Sequence, residues 1–409
     1  MRHSVSTLSH LPAKGFALLK GLGVALAITL PLDVTATPGC VYIEKQNIKT
    51  LPLDVILNYV TQDIFEKNGR PGLMIGIISN EERAVISCGE VTKGTDKRPD
   101  MNSIWSIGSV SKVITTQILS TLINKGTVRL NTTVDELTGK FNHTGNPVTL
   151  LDLATHTSGF PRILPGFEDR DDYQVLNNPY TMNDFLNWYH GFTSPWEPGT
   201  HFDYSNVAFG ALGQLLAKKM NKSYEDLLSE LVTSPLGMKD TTTHLNSEQM
   251  TRKVDSYWLN GDLIKHDWDM GFEDPSGGIY SSMNDLLLFT AYQLQRTGNA
   301  LRTNQIAHAS YIYKEELENL VNLAKDPNKE AEVKFDAIAL GWMVNFPTDT
   351  LPLQLDKDGC VNGVFTVVQL TPTENIGLIS LTNSLQGMPF TTMNTSLQHI
   401  TRYIIRYKQ

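Results

Sequence analysis

Apolar residues near the N-terminal end of the chain change from a helical spacing to a strand-like pattern. Residues 53–67 carry apolar side chains at helical spacing, and Gly69 follows them, which predicts a helix that ends near this glycine. The apolar runs 73–78 and 83–88 flank the polar segment 79–82. This pattern predicts two strands joined by a turn.

The strongest helical pattern covers residues 109–124, and Gly126 follows it, as is typical just after a helix end. Further helical stretches, broken by Gly/Pro loops, continue to about residue 268. Near the C-terminal end, residues 341–346, 364–370 and 376–381 are predicted strands, and residues 391–407 are a predicted amphipathic helix.

Strands at both ends and helices in the middle predict an α/β (α+β) fold, in which both chain ends build one antiparallel sheet flanked by helices. We expect a single domain over residues 41–409. Its sheet subdomain would comprise about 45–108 and 270–409, and a helical insertion would comprise about 109–269. The ends of the insertion would face the edge of the sheet, where a cleft is a natural active site.

Composition and charge exclude some classes of protein. The chain has 409 residues, of which 41% are hydrophobic and 19% charged, which is ordinary for a globular protein. The formal net charge is -9 and the pI is about 5.6. Because no cluster of Lys and Arg resembles a nucleic-acid footprint, we expect no nucleic-acid partner. Nothing in the sequence indicates an oligomeric state.

The N-terminal segment is typical of an export signal. Basic residues precede the apolar run 21–32, and small residues follow it at 34–36, which predicts a signal peptide over residues 1–36, cut after Ala36. The apolar run is shorter than the roughly 20 residues of a membrane-spanning helix. An uncleaved N-terminal anchor is the alternative. We therefore expect a periplasmic protein, and peripheral association with the inner membrane stays open.

Three cysteines, Cys40, Cys88 and Cys360, would allow one disulfide and one free thiol in an oxidising compartment. The sequence leaves the pairing open. The cysteine spacing is no zinc pattern, and the ten histidines include no H-E-x-x-H. We therefore expect no metal and no organic cofactor.

Ser109 and Lys112 start the strongest predicted helix. Positions i and i+3 of a helix share a face, so the lysine would lie one turn from the serine hydroxyl. A serine hydroxyl needs a neighbouring base to become a nucleophile. Lysine can serve only if burial or a nearby cation lowers its pKa from about 10.4. The pair alone is a weak signal, since a capping serine and a surface lysine look the same.

Two further short motifs follow. Tyr204 and Asn206 form a Tyr-x-Asn motif, in which a tyrosine can move a proton and an asparagine can bind an amide. A buried tyrosine and a helix-capping asparagine would be the structural alternative. Lys357 and Gly359 form a Lys-x-Gly motif ahead of the strand 364–370. There a lysine could hold a carboxylate, and a glycine could let the substrate backbone approach closely.

In this order the three motifs form the active-site trio of serine β-lactamases and penicillin-binding proteins, in its tyrosine version. The chain resembles the class C β-lactamase branch (peptidase S12 type), above all in segment 105–112, WSIGSVSK. The similarity runs through most of the chain after about residue 71. Segments 154–158, 204–209 and 235–242 are similar to the AmpH-type D-alanyl-D-alanine carboxypeptidase/endopeptidases.

The resemblance implies a β-lactamase/DD-peptidase fold and a role for each motif residue. Ser109 would be acylated, and Lys112 and Tyr204 would share proton transfer. Asn206 would bind the substrate amide. Lys357 would anchor a carboxylate and help lower the pKa of the tyrosine.

The same resemblance assigns the oxyanion hole to the backbone N–H groups of Ser109 and Cys360. It also places Asp358 and Gly359 beside the substrate. Members of the superfamily usually have Thr or Ser where this chain has Asp358, and an ionised aspartate would repel a substrate carboxylate. His156 could act as a base in a serine–histidine scheme, but its place before a predicted turn favours a structural role.

The resemblance implies a serine hydrolase that acts through an acyl-enzyme on peptidoglycan stem peptides or β-lactams. The interpretation we favour is a D-alanyl-D-alanine carboxypeptidase/endopeptidase. A class C-like β-lactamase and an esterase or D-amino-acid amidase are alternatives that share the nucleophile. A penicillin-binding sensor without turnover belongs to a different class. No counterpart of the class A deacylating glutamate is found, so rapid β-lactam hydrolysis does not follow.

Overall fold

The structure is a computed structural model. It describes residues 39–69, 71–139, 145–167, 179–266, 269–321, 335–384 and 390–408. The predicted signal peptide lies outside the described residues, so the structure leaves that prediction untested. Within these ranges, no helix combines the length and apolar character needed to cross a membrane.

A nine-stranded antiparallel sheet forms the centre of the fold. Thirteen strands are described in all: β1 Val41–Gln46, β2 Leu73–Ser79, β3 Glu82–Cys88, β4 Ile104–Ser106, β5 His201–Asp203, β6 Tyr280–Ser282, β7 Ile312–Tyr313, β8 Asn319–Val321, β9 Ala337–Ile338, β10 Met343–Asn345, β11 Gln354–Val361, β12 Val364–Thr371 and β13 Ile376–Thr382. The order across the sheet is β1-β3-β2-β13-β12-β11-β10-β9-β7. Strands β4 and β6 form a small antiparallel ribbon, and β5 and β8 a parallel one.

The sheet joins the two ends of the chain. Strand β2 pairs with β13 from Leu73 opposite Thr382 to Ser79 opposite Ile376. This pairing confirms the predicted sheet built from both termini. The side chains of β2 alternate between two cores, because successive residues of a strand point to opposite faces: Ile75 and Ile77 belong to one apolar cluster and Met74 to the other.

Thirteen α-helices are described: α1 Leu53–Tyr59, α2 Ser111–Asn124, α3 Val134–Thr138, α4 Leu150–Ala154, α5 Met182–His190, α6 Asn206–Lys219, α7 Tyr224–Leu228, α8 Ser234–Leu236, α9 Ser247–Met250, α10 Asp274–Gly277, α11 Met283–Leu294, α12 Gly298–His308 and α13 Phe390–Lys408. Helices α1 and α13 cover one face of the sheet with residues such as Ile56 and Leu397. Helices α2 and α11 pack against the other face, with residues such as Ile114 and Leu286.

Several predicted elements differ from the observed ones. The helix predicted over 109–124 is an α-helix only from Ser111, because Gly108–Val110 form a 3-10 turn ahead of it. The strand predicted over 341–346 is limited to Met343–Asn345. Strand β1 was not predicted. The apolar pattern did not give the bounds of strand β11, on which Lys357 lies ahead of β12.

One disulfide joins Cys40 and Cys88, which ties the segment before β1 to the end of β3. Cys360 is a free, exposed thiol. The structure thus resolves the pairing that the sequence left open. The disulfide lies where β1 pairs with β3, whereas Cys360 lies on β11.

Candidate active site

Ser109 lies in a tight turn between β4 and α2. Its side chain is half-buried, and the turn packs against β11. Gly108 has a positive φ of 49°, and a methyl group on it would lie 2.8 Å from the backbone nitrogen of Cys360. Only glycine adopts this conformation readily and allows so close an approach. The glycine before Ser109 is therefore explained by the contact between the turn and the strand.

Lys112 lies one turn after Ser109 and is completely buried. Its Nζ donates to Ser109 Oγ at 3.1 Å, to Asn206 Oδ1 at 2.9 Å and to the carbonyl oxygen of Ser276 at 2.7 Å. Burial is the main cause that lowers the pKa of Lys112, and the positive charge of Lys357 acts in the same direction, whereas the negative charge of Tyr204 acts to raise it. The lowered pKa favours the neutral amine, the form that can accept a proton.

Tyr204 follows β5, and its ring lies among three cations. The ring centroid is 4.8 Å from Lys112 Nζ, 5.4 Å from Lys357 Nζ and 5.1 Å from the guanidinium carbon of Arg162. Burial alone would raise the pKa of Tyr204, but the charges of Lys112 and Lys357 outweigh burial and lower this pKa to about 8. A phenolate is therefore accessible near neutral pH.

Asn206 is the first residue of α6, and its side chain accepts the hydrogen bond from Lys112. The cap of this helix is Ser205, whose Oγ accepts from the N–H of Ala208 at 2.9 Å. Asn206 is therefore not the capping residue that the structural alternative required. The side-chain amide of Asn206 and the hydroxyl of Ser109 therefore contact the same lysine.

Lys357 lies on β11 and is only 2% exposed. Its Nζ donates to the backbone carbonyl of Asp358 at 2.9 Å and to the Asp358 carboxylate at 3.2 Å. Burial acts to lower the pKa of Lys357, but the negative charges of Tyr204 and Asp358 raise it overall. Lys357 therefore stays charged, and the aspartate already occupies part of its hydrogen-bonding capacity.

The end of β11 packs beside Ser109. Strand β10 pairs with residues Gln354–Asp356 of β11, and beyond them the strand faces the turn of Ser109. A methyl group on Gly359 would lie 2.8 Å from the Ser109 nitrogen and would collide with the carbonyl oxygen of Ile107. The absence of a side chain at Gly359 is thus explained by contact with this turn. The sequence had suggested contact with substrate instead.

Comparison with known proteins adds an independent observation. The sequence profile of the Beta-lactamase family matches residues 57–402. The chain belongs to the β-lactamase family. It is 30% identical over 339 residues to the D-alanyl-D-alanine-carboxypeptidase/endopeptidase AmpH of Escherichia coli K12, with 79% of this chain and 82% of AmpH covered. It is 22% identical to a β-lactamase of Pseudomonas fluorescens, over 80% of this chain and 92% of that protein.

Solved structures of β-lactamase family members share the fold. The β-lactamase/D-alanine carboxypeptidase of Yersinia pestis, in complex with citrate, superposes with a TM-score of 0.75 at 26% identity, covering 86% of this chain and 98% of that one. A class C β-lactamase gives a TM-score of 0.70 at 21% identity, with 87% and 97% covered. These comparisons confirm the family and the fold that the sequence motifs implied.

In this member of the β-lactamase family, His156 occupies an apolar position beneath Tyr204. The two rings stack with centroids 4.2 Å apart, and the Nδ1 atom accepts the N–H of Ser205 at 3.0 Å. Burial and the nearby cations keep the pKa of His156 well below its usual value. A neutral, buried ring that holds Tyr204 in place fits the structural role. Asp203, the residue before Tyr204, is buried at the end of β5.

Two charged residues of the site carried no signal in the sequence. Arg162 is an exposed loop residue, and only the fold brings its side chain to Tyr204. Glu273 is buried in the turn before α10, where the Tyr180 hydroxyl donates to its carboxylate. Burial is the main cause that raises the pKa of Glu273 to about 7, although Tyr180, Lys112 and Arg162 act to lower it. No motif spacing marks either residue.

Proposed function

We propose that this chain is a serine hydrolase that forms an acyl-enzyme on Ser109 and acts as a D-alanyl-D-alanine carboxypeptidase/endopeptidase on peptidoglycan stem peptides. The observation that carries the proposal is the hydrogen bond of 3.1 Å between Lys112 Nζ and Ser109 Oγ, made by a fully buried lysine that also contacts Asn206. The identity to AmpH, whose name states this activity, supports the choice of substrate.

The proposed acylation begins with removal of the Ser109 hydroxyl proton by the coupled pair of Lys112 and Tyr204. The serine oxygen then forms a bond to the carbonyl carbon of the penultimate D-alanine. The carbonyl oxygen becomes an oxyanion, which the backbone N–H groups of Ser109 and Cys360 would stabilise. When the intermediate collapses, the peptide C–N bond breaks and the pair returns the proton to the leaving amine.

The acyl-enzyme is then hydrolysed by water, which regenerates Ser109 and releases the shortened peptide. Asn206 would hold the amide of the bound acyl group throughout, since its side chain can both donate and accept. Lys112 fixes the orientation of the Asn206 side-chain amide, because Lys112 Nζ donates to Asn206 Oδ1 at 2.9 Å. The amide nitrogen of Asn206 would then be directed away from the lysine.

We also propose that the mature enzyme, residues 37–409, works in the periplasm after cleavage behind Ala36. The basic, apolar and small-residue segments of the N-terminus support this location. N-terminal sequencing of protein from a periplasmic fraction tests it. Intact Met1 on cytoplasmic protein would contradict both the export step and access to peptidoglycan.

The activity test uses two substrates in parallel. Purified enzyme is incubated with muropeptides that end in D-alanyl-D-alanine and, separately, with a chromogenic β-lactam. Release of D-alanine without comparable ring opening is expected, and Ser109→Ala should abolish that release. Fast ring opening without D-alanine release would make the enzyme a β-lactamase instead. This second function is supported by the fold shared with a class C β-lactamase.

A further inference from the structure

Two of the three cations around Tyr204 already have partners. Lys112 Nζ donates to Ser109, Asn206 and Ser276. Lys357 Nζ lies 3.2 Å from the Asp358 carboxylate, with which it forms an ion pair. A substrate carboxylate that approached Lys357 would compete with this aspartate.

Arg162 differs from the two lysines in exposure and in partners. It is exposed, whereas both lysines are buried. Among the residues that the structure describes, no carboxylate forms an ion pair with its side chain. Its guanidinium carbon nevertheless lies 5.1 Å from the Tyr204 ring centroid. The site therefore offers a solvent-accessible cation beside the proposed proton-transfer group.

The backbone fixes Arg162 beside the start of α6. The N–H of Asn206 donates to the carbonyl oxygen of Arg162 at 3.1 Å, and Ser205 Oγ donates to that of Pro161 at 2.6 Å. Arg162 thus lies on the Asn206 side of the nucleophile. The Lys357–Asp358 pair belongs to a different segment, strand β11.

We propose that Arg162 binds a free carboxylate in the acyl half of the substrate, on the residue that precedes the acylated D-alanine. The inference rests on the proposed function, in which Asn206 holds the amide that joins these two residues. A planar guanidinium suits this task, because it can form two parallel hydrogen bonds to one carboxylate. Arg162 would then select acidic acyl groups, while the paired Lys357 contributes less to recognition.

Two matched substrate pairs test this specificity. Benzylpenicillin and α-carboxybenzylpenicillin differ by a carboxylate in the acyl half, and second-order rates of Ser109 acylation are measured for both. N-acetyl-L-glutamyl-D-alanyl-D-alanine and its glutaminyl analogue form the corresponding peptide pair. The enzyme should react at least about tenfold faster with the acidic member of each pair, as expected for a charge-assisted hydrogen bond.

Three variants distinguish binding from a structural role. In Arg162→Gln, the ratio of acidic to neutral rates should fall to about one, and in Arg162→Glu below one. Arg162→Lys should keep part of the preference because the charge remains while the planar fork is lost. Arg129→Gln removes another exposed arginine and should leave the ratio unchanged.

The ratio of acidic to neutral rates distinguishes a failure of this inference from a failure of the proposed function on which it rests. Equal ratios in the wild type and in folded Arg162→Gln would overturn the role of Arg162, while acylation of Ser109 would still stand. A complete lack of acylation by both penicillins, together with no cleavage of either peptide, would overturn the proposed function and the inference with it. Melting curves of each variant show whether a lost preference arises from unfolding.

Discussion

Lys112 and Lys357 are both buried beside Tyr204, yet their surroundings act on them in opposite directions. Lys112 contacts a hydroxyl, an amide oxygen and a carbonyl oxygen, and burial lowers its pKa. Lys357 contacts a carboxylate, and its pKa is raised overall although burial acts against this. Burial alone therefore does not decide the direction of the shift, because the negative charges of Tyr204 and Asp358 together outweigh burial at Lys357, whereas burial outweighs Tyr204 at Lys112.

This contrast supports different proposed tasks for the two lysines. A lysine with a lowered pKa gives up its proton more readily, whereas one with a raised pKa keeps its positive charge. Tyr204 depends on both, since the two positive charges bring its pKa to about 8. We therefore expect mutations at the two lysines to have different kinetic effects.

Loss of Lys112 should have the largest effect. Lys112→Ala removes a group of the proposed proton relay, and general acid–base groups contribute about 10²–10⁴-fold to rate. Acylation by a neutral ester should fall by that factor while the melting temperature changes little. Stopped-flow acylation rates and thermal unfolding of the same preparations measure both quantities.

Lys357→Ala is the matched control for this comparison. With a neutral ester it should slow acylation clearly less than Lys112→Ala, because the ester has no carboxylate to bind and only the pKa of Tyr204 is affected. Equal losses in both variants would contradict the division of tasks between the two lysines.

The pH dependence of acylation should follow the coupled pair of Lys112 and Tyr204. The reacting form is the deprotonated one, so the rate should rise by up to about tenfold per pH unit below the apparent pKa and level off near the value of about 8 given for Tyr204. Rates with the neutral ester between about pH 6 and about pH 9.5 test this sign. A rate that falls as pH rises through this range would show that the protonated form reacts.

Asp358→Thr should have the smallest of these effects, and it should be a gain. At about 6 Å and an effective dielectric near 20, an aspartate repels a substrate carboxylate by roughly 2–3 kcal/mol. Because the Asp358 side chain is 42% exposed, solvent screening reduces this figure. Loss of the aspartate also releases Lys357 for the substrate. We expect acylation by benzylpenicillin to become about tenfold faster.

The neutral ester again provides the control, because it should gain much less from Asp358→Thr than benzylpenicillin does. An unchanged rate with benzylpenicillin would mean that the pair of Asp358 and Lys357 does not limit carboxylate recognition. A slower rate would mean that the aspartate itself takes part in substrate recognition, which would favour an esterase or amidase over the DD-peptidase.

The sequence was sufficient to predict those parts of the fold that follow a regular apolar pattern. The paired strands β2 and β3 and the helix α13 were predicted close to their observed bounds. The two strands are short apolar runs bounded by polar residues, and the helix has an amphipathic period. The bounds of strand β11 did not follow from the apolar pattern, because its sequence, QLDKDGCV, places charged residues in the interior. Charged side chains in the interior of a strand depart from the apolar pattern that usually identifies strands.

The site was predictable as far as its residues lie in short motifs. Ser109, Tyr204 and Lys357 each belong to such a motif, and the structure brings their side chains together. Arg162 and Glu273 reach the site only through the fold, so no spacing along the chain could indicate them. Asp358 lies 3.2 Å from Lys357, and only the fold could establish this ion pair.

Covalent labelling of Ser109 tests the central claim most directly. The purified mature enzyme is treated with a fluorescent penicillin, and the adduct is located by intact-protein and peptide mass spectrometry. We predict one acyl group per chain, on the peptide that contains Ser109, and no label on Ser109→Ala under the same conditions. Undiminished labelling of Ser109→Ala, or an adduct on any other residue, would contradict the assignment of Ser109 as the nucleophile.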